Sequence, residues 1–166
     1  AEVVRDVNKY SNNVMAQQVF WCLALQKNPV ASCEGAHEVL LQWWRARLGD
    51  QAPPVVDNGA GLSREARVSA LGLGRMLQQA WVSPVMPELV SSLPIVGIDG
   101  TLRRSKSKAG AAHLKSGSLR DVLAVAGYVH AASGRRYVLV AIVNHPSAAA
   151  ARPVLDALVD WTGRDQ

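Results

Sequence analysis

A chain of 166 residues, 49% apolar and 19% charged, is long enough to bury one core and too apolar to stay disordered. It has no apolar run of about 18 residues, which excludes a transmembrane segment, and Ala1 to Asp6 show neither the basic nor the apolar region of an export signal. The net charge of +5 is densest at Arg103, Arg104, Lys106 and Lys108, joined by Lys115 and Arg120; without aromatic stacking residues beside it, the cluster argues against nucleic acid as partner.

The elements follow in chain order. After a charged lead-in, the cap-forming cluster Asn8 to Asn13 precedes a first helix, Val14 to Leu25, with Met15, Val19, Cys22 and Leu23 at helical spacing. Asn28-Pro29 ends it. Ser32 opens a second helix with the stripe Ala36, Val39, Leu40, Trp43, Trp44 and Leu48, and Gly49 stops it. Gln51 to Pro54 form a turn, Val55-Val56 a short extended piece, and Asn58-Gly59-Ala60-Gly61 a tight glycine-dependent bend. Ser63 or Ser69 caps a third helix from Ser69 to Trp81, and Pro84 and Pro87 interrupt the pattern before a brief turn at Glu88 to Leu93. Ile95 to Gly100 read as an extended connection and Arg103 to Gly110 as an exposed basic loop. Strands at 112–119, 122–131 and 136–144 and a closing helix over 147–161 complete the chain.

The order predicts an α+β protein: helices, then an antiparallel three-strand meander, then a helix to cover it. A three-stranded sheet with two apolar faces needs helices on both sides and usually more strands. The expectation is therefore the C-terminal part, residues 1–166, of a larger catalytic domain. Cys22 and Cys33 are the only cysteines, and no histidine pair stands at ligand spacing to make a zinc site with them. Free thiols and one disulfide both remain open. No metal or other cofactor is indicated.

Two short constellations carry chemistry. Lys115 is a lone cation in a run of apolar and small residues, and Ser116, Gly117 and Ser118 after it leave backbone accessible to a ligand. Ser11-Asn12-Asn13 stands at the mouth of a helix. Taken singly, the second is a helix N-cap and the first an edge-strand lysine that blocks sheet-to-sheet pairing. Together, in this order and about a hundred residues apart, they match the S-x-N and K-[TS]-G motifs that accompany an SxxK serine nucleophile.

With Asn58-Gly59-Ala60-Gly61-Leu62-Ser63-Arg64 and Gly97-Ile98-Asp99-Gly100-Thr101-Leu102, the chain from about Asn8 to Trp161 resembles the D-alanyl-D-alanine carboxypeptidase/endopeptidase group of low-molecular-mass penicillin-binding proteins, the DacB type. Ala60 stands where the family often has serine, and Asn12 where it often has aspartate. The resemblance implies an α/β sandwich of the β-lactamase/transpeptidase kind, here with an incomplete sheet. It implies a periplasmic serine peptidase acting through an acyl-enzyme on peptidoglycan stem peptides, with β-lactams as covalent inhibitors. Ser11 would relay a proton to the leaving amine and Asn13 hold a substrate amide and the nucleophile-side lysine. Lys115 would supply positive potential, Ser116 and Ser118 would bind the D-alanine carboxylate, and the Ser118 amide beyond Gly117 would complete an oxyanion hole.

Ser105-Lys106-Ser107-Lys108 satisfies SxxK by letter, but it lies in an exposed basic loop, whereas the family's nucleophile opens a buried helix upstream of S-x-N. The catalytic serine is thus expected in an N-terminal segment of the same protein outside these residues, and this chain alone is expected to be inactive. The alternatives are a module that grips an anionic polymer through Arg103 to Lys108, and an inactive relative kept for interaction. His113 shares a strand face with Lys115 and reads either as a cleft-rim or a surface residue, and the five tryptophans as core and boundary residues.

Overall fold

A computed structural model describes residues 1–107 and 110–165. The elements are α1 (Glu2–Tyr10), α2 (Asn13–Cys22) running into a 3₁₀ turn (Leu23–Gln26), α3 (Cys33–Leu48), α4 (Ala70–Trp81), α5 (Met86–Ser92), a 3₁₀ turn (Gly100–Leu102), β1 (Ala112–Leu119), β2 (Val122–His130), β3 (Arg136–Asn144), a 3₁₀ turn (Ala148–Ala151) and α6 (Arg152–Gly163). They form two compact units, Asn12–Gln79 on one hand and Ala1–Ser11 with Ala80–Gln166 on the other.

The helical unit is built on local caps and close approach. Asn12 Oδ1 accepts from the Met15 N–H, Ser32 Oγ from Gly35 and Ser69 Oγ from Gly72, satisfying donors that each helix start leaves free. Of the two serines that could cap the third sequence-read helix, Ser69 does so. Phe20, Ala24, Ala36, Val39, Trp44 and Leu77 are buried. Gly59 is held at φ 79, and a Cβ on it would lie 2.4 Å from the Phe20 Cβ, so glycine lets the 58–61 bend lie directly on α2. Cys22 and Cys33 are free thiols. The Cys33 sulfur faces the His37 Nδ1 at 3.9 Å and the Asp57 carbonyl at 3.5 Å.

The second unit is the sheet with its covering helices. The antiparallel order is β1-β2-β3, with β1 on an edge. Alternation sends Ala112 and Leu114, Leu123, Val125 and Val129, and Leu139 to one face, where they form a core with Val96, Leu102, Ala148, Leu155 and Val159 under α6. The other face carries His113, Lys115, Ala126 and Tyr128. There the His113 Nδ1–H donates to the Val90 carbonyl of α5 at 3.2 Å, and the Trp81 ring packs on Tyr128 at 5.1 Å. Helices thus cover both faces, as two apolar faces require.

Several expectations are corrected. Glu2–Tyr10 is a helix rather than a lead-in: Val3, Val4 and Val7 stand at helical spacing among charged residues, and the residue it buries is Lys9. The region read as helical with interruptions is so, but its piece after Pro84 is a helix, Met86–Ser92, rather than a brief turn, with Pro87 in its first turn, where a missing N–H costs nothing. Residues 95–99 form a turn with a single bridge to His113 rather than an extended run. The closing helix starts as a 3₁₀ turn and runs on to Gly163. Trp161 is 71% exposed and so neither core nor boundary. His113 is half-buried and stacked on His130 with ring centroids 5.2 Å apart, not at a rim. Arg103, Arg104 and Lys106 are exposed, and Lys108 lies outside the described residues.

Candidate active site

Ser11 ends α1 instead of opening α2. It adopts the left-handed conformation (φ 54, ψ 46), and its N–H closes the helix on the Val7 carbonyl. A non-glycine residue held there carries backbone strain that the surroundings must hold in place. The result aims its hydroxyl at β1. Lys115 Nζ donates to Ser11 Oγ at 3.0 Å and to the Ser116 carbonyl at 2.8 Å. The two residues are 104 apart in sequence.

Lys115 is half-buried, and burial pushes its amine below the usual lysine range. No carboxylate among the described residues pairs with it. Positive charge drawn partly out of water without a counter-ion is a local potential available to an anion.

The edge of β1 is half covered. The Val96 N–H donates to the Ala112 carbonyl at 3.0 Å and the Leu114 N–H to the Pro94 carbonyl at 2.9 Å, so the segment before the Gly100 turn acts as a short partner for that stretch. Hydrogen-bonding direction alternates along a strand. Ser116 and Ser118, in phase with Ala112 and Leu114, therefore turn their N–H and C=O groups to the same edge, beyond the cover. The Lys115 amine on the Ser116 carbonyl agrees with that phase. Gly117 faces the Lys115 side, and a Cβ there would meet only the Ala124 Cβ at 3.6 Å, so the sheet does not itself demand glycine and the space above it is open.

The serine side chains differ from expectation. Ser116 Oγ is hydrogen-bonded to Thr101 Oγ1 at 2.6 Å, on the strand face away from Lys115, while Ser118 is exposed. Asn13 belongs to the helical unit, where its Nδ2 donates to the Ala60 carbonyl at 2.6 Å. Its Oδ1 has no partner among the described residues. Ala60 therefore contributes through its backbone, which any side chain supplies. Ser105 is not in an exposed, unengaged loop: it is half-buried, and its hydroxyl donates to Asp156 Oδ1 at 2.7 Å, while the Ser107 hydroxyl donates to the Asp156 carbonyl at 3.0 Å.

Sequence reasoning missed Lys9 as a site neighbour. Its Nζ meets Asp99 Oδ2 at 2.5 Å, and Asp99 Oδ1 accepts from the Ile95 N–H at 2.7 Å. Burial raises the Asp99 carboxyl, but the Ile95 N–H and the Lys9 ammonium outweigh it and hold the group below the usual carboxylate range. The available signal was Asp99's place in the Gly97 to Leu102 stretch.

This fold is that of penicillin-binding proteins. Penicillin-binding protein 4 (dacB) of Haemophilus influenzae, in complex with a β-lactam, superposes with a TM-score of 0.81 at 20% identity, over 95% of this chain and 41% of that one. A predatory endopeptidase of Bdellovibrio bacteriovorus in complex with an immunity protein gives 0.74 at 16% identity, over 96% and 42%. A second endopeptidase from that organism, acylated by penicillin G, gives 0.68 at 14%, over 99% and 46%. The chain thus spans less than half the length of each. No curated protein matches the sequence. The model of the D-Ala-D-Ala carboxypeptidase 3 (S13) family matches residues 1–165, and the chain belongs to that family of peptidases.

Proposed function

We propose that this chain is the S-x-N and K-S-G part of a periplasmic serine DD-peptidase, which cleaves D-Ala-D-Ala ends or peptidoglycan cross-links through an acyl-enzyme and is inhibited by penicillins. The observation that carries the reading is the Ser11–Lys115 hydrogen bond at 3.0 Å beside an open strand edge, with no carboxylate among the described residues neutralising the lysine. A nucleophilic serine and its lysine would come from a segment of the same protein preceding these residues. That serine attacks the penultimate D-alanine carbonyl and gives its hydroxyl proton to the upstream lysine; as the peptide C–N bond breaks, that proton reaches the leaving nitrogen through Ser11, and Lys115 keeps its charge. Water then releases the acyl group. The substrate peptide lies along the Ser116–Ser118 edge as an added strand, its terminal carboxylate in the field of Lys115 and its oxyanion on the Ser118 amide. Asn13 Oδ1 is the acceptor left for the upstream lysine.

Ser105 plays no part in this chemistry, because its hydroxyl is committed to Asp156. Labelling with a fluorescent penicillin tests the reading. The full-length protein labels at an upstream serine and the isolated chain does not. A mass shift on the isolated chain that disappears in Ser105→Ala overturns it.

A further inference from the structure

We propose that the ion pair Lys9–Asp99 is a latch that holds Ser11 in register with Lys115, making Lys9 and Asp99 positioning residues for acyl transfer. The inference rests on the role proposed for Ser11. Lys9 is 7% exposed and is the buried residue of a nine-residue helix whose Val3 and Val4 are exposed and whose Val7 is half-buried, so no apolar side chain of α1 is fully buried. What fixes its end is polar. Asn8 Nδ2 donates to Ser92 Oγ at 2.8 Å, and one residue on, Lys9 Nζ meets Asp99 at 2.5 Å.

Asp99 bridges two parts of the site. One carboxylate oxygen takes the lysine of α1, and the other takes the Ile95 N–H at 2.7 Å. Ile95 bridges to His113, and the Val96 N–H and Pro94 carbonyl pair with Ala112 and Leu114, so the turn is part of the β1 edge. The bonds form a closed circuit: Ser11 to Lys9 through the chain, Lys9 to Asp99, Asp99 to Ile95, along β1 to Lys115, and back to Ser11 at 3.0 Å. Gly100 lets this circuit close. A Cβ there would stand 2.6 Å from the Lys9 carbonyl, and its φ of 56 also favours glycine, so the turn is pressed against the last residues of α1.

Stability alone gives a weak reason for the pair, because a buried ion pair is often no better than a hydrophobic replacement. Register gives a stronger one. Ser11 sits in a strained left-handed conformation, and a misplacement of about 1 Å at such a group costs up to about 10²-fold in rate.

The test is a double-mutant cycle on the full-length protein, reading the first-order acylation constant and the dissociation constant of the preceding complex separately with a fluorescent penicillin. Asp99→Asn keeps the Ile95 acceptor and removes the charge. It is expected to slow acylation about tenfold to 10²-fold with the dissociation constant unchanged. Asp99→Asn with Ser11→Ala is expected to be no slower than Ser11→Ala alone, because the latch acts only through Ser11. Wild-type acylation in Asp99→Asn, a loss confined to the dissociation constant, or losses that multiply in the double variant overturn the latch. If Asp99→Asn does not fold, Lys9→Met, which keeps the apolar stem, goes through the same cycle under the same criteria. Wild-type acylation in Ser11→Ala overturns the reading of Ser11 itself, a result separable from a slow Ser11→Ala beside a fast Asp99→Asn.

Discussion

Two lysines of the sheet unit are drawn out of water, and they are treated in opposite ways. Lys9, at the end of α1, meets the Asp99 carboxylate; Lys115, on the edge of β1, meets a hydroxyl and a carbonyl. The first charge is cancelled where it sits. The second is left standing, and burial depresses its amine. Burial therefore does not tell these two cations apart, whereas the presence of a counter-ion does. The same contrast runs along β1, whose Ala112–Leu114 stretch is covered by Pro94–Val96 while Ser116 and Ser118 face an open edge.

Replacing each lysine breaks the comparison in a different observable. The largest effect is expected from Lys115→Ala, which should slow penicillin labelling of the full-length protein by about 10²–10³-fold, the loss typical of one preorganised electrostatic donor. Stopped-flow labelling measures it. Next comes Lys9→Met, which leaves the Asp99 charge without its partner. It should destabilise by about 1–2 kcal/mol, less than for fully buried pairs because the Asp99 side chain is 37% exposed. The melting temperature should drop by about 2–8 °C.

Lys115→Met is expected to move stability the other way. Its folded pKa is lowered, so at neutral pH the native state carries a charge that burial disfavours, and the unfolded state does not suffer from it. The variant should melt slightly higher than wild type at pH 7, and the gap should shrink as pH rises towards about 10.4, where the unfolded lysine also loses its proton. Thermal melts of both proteins between these values check the sign; a lower melting temperature for Lys115→Met at pH 7 would contradict the contrast with Lys9.

The smallest effect concerns the histidine pair beside them. Burial lowers both His113 and His130; Lys9 adds to the first, and Arg136 and His113 add to the second. The His130 Nε2 is buried with no hydrogen-bond partner among the described residues. As pH falls below about 6.5 the unfolded chain takes up protons before the folded one, so stability present above that value is lost on the way down to the folded values. The melting temperature should fall between pH 7 and 5, and His130→Phe should flatten the slope.

The strands, the helix caps at Ser32 and Ser69, and the residues of both motifs were legible in the sequence because alternation, capping and turn chemistry act between near neighbours. The anchor of helix α1 was not, since it is a charged residue whose partner lies 90 positions away. The same limit applied at the site. Sequence alone determined that Ser11, Asn13 and Lys115 stand in the order of a known pair of motifs, and that Ser116 to Ser118 leave backbone bare. Only the tertiary structure decided that Ser11 closes one helix instead of opening the next, that Ser105 is spent on Asp156, and that Ser116 turns its hydroxyl to Thr101. Each of these depends on a hydrogen bond between residues at least 15 apart or on one left-handed backbone angle held by packing, and neither leaves a periodic trace in the sequence.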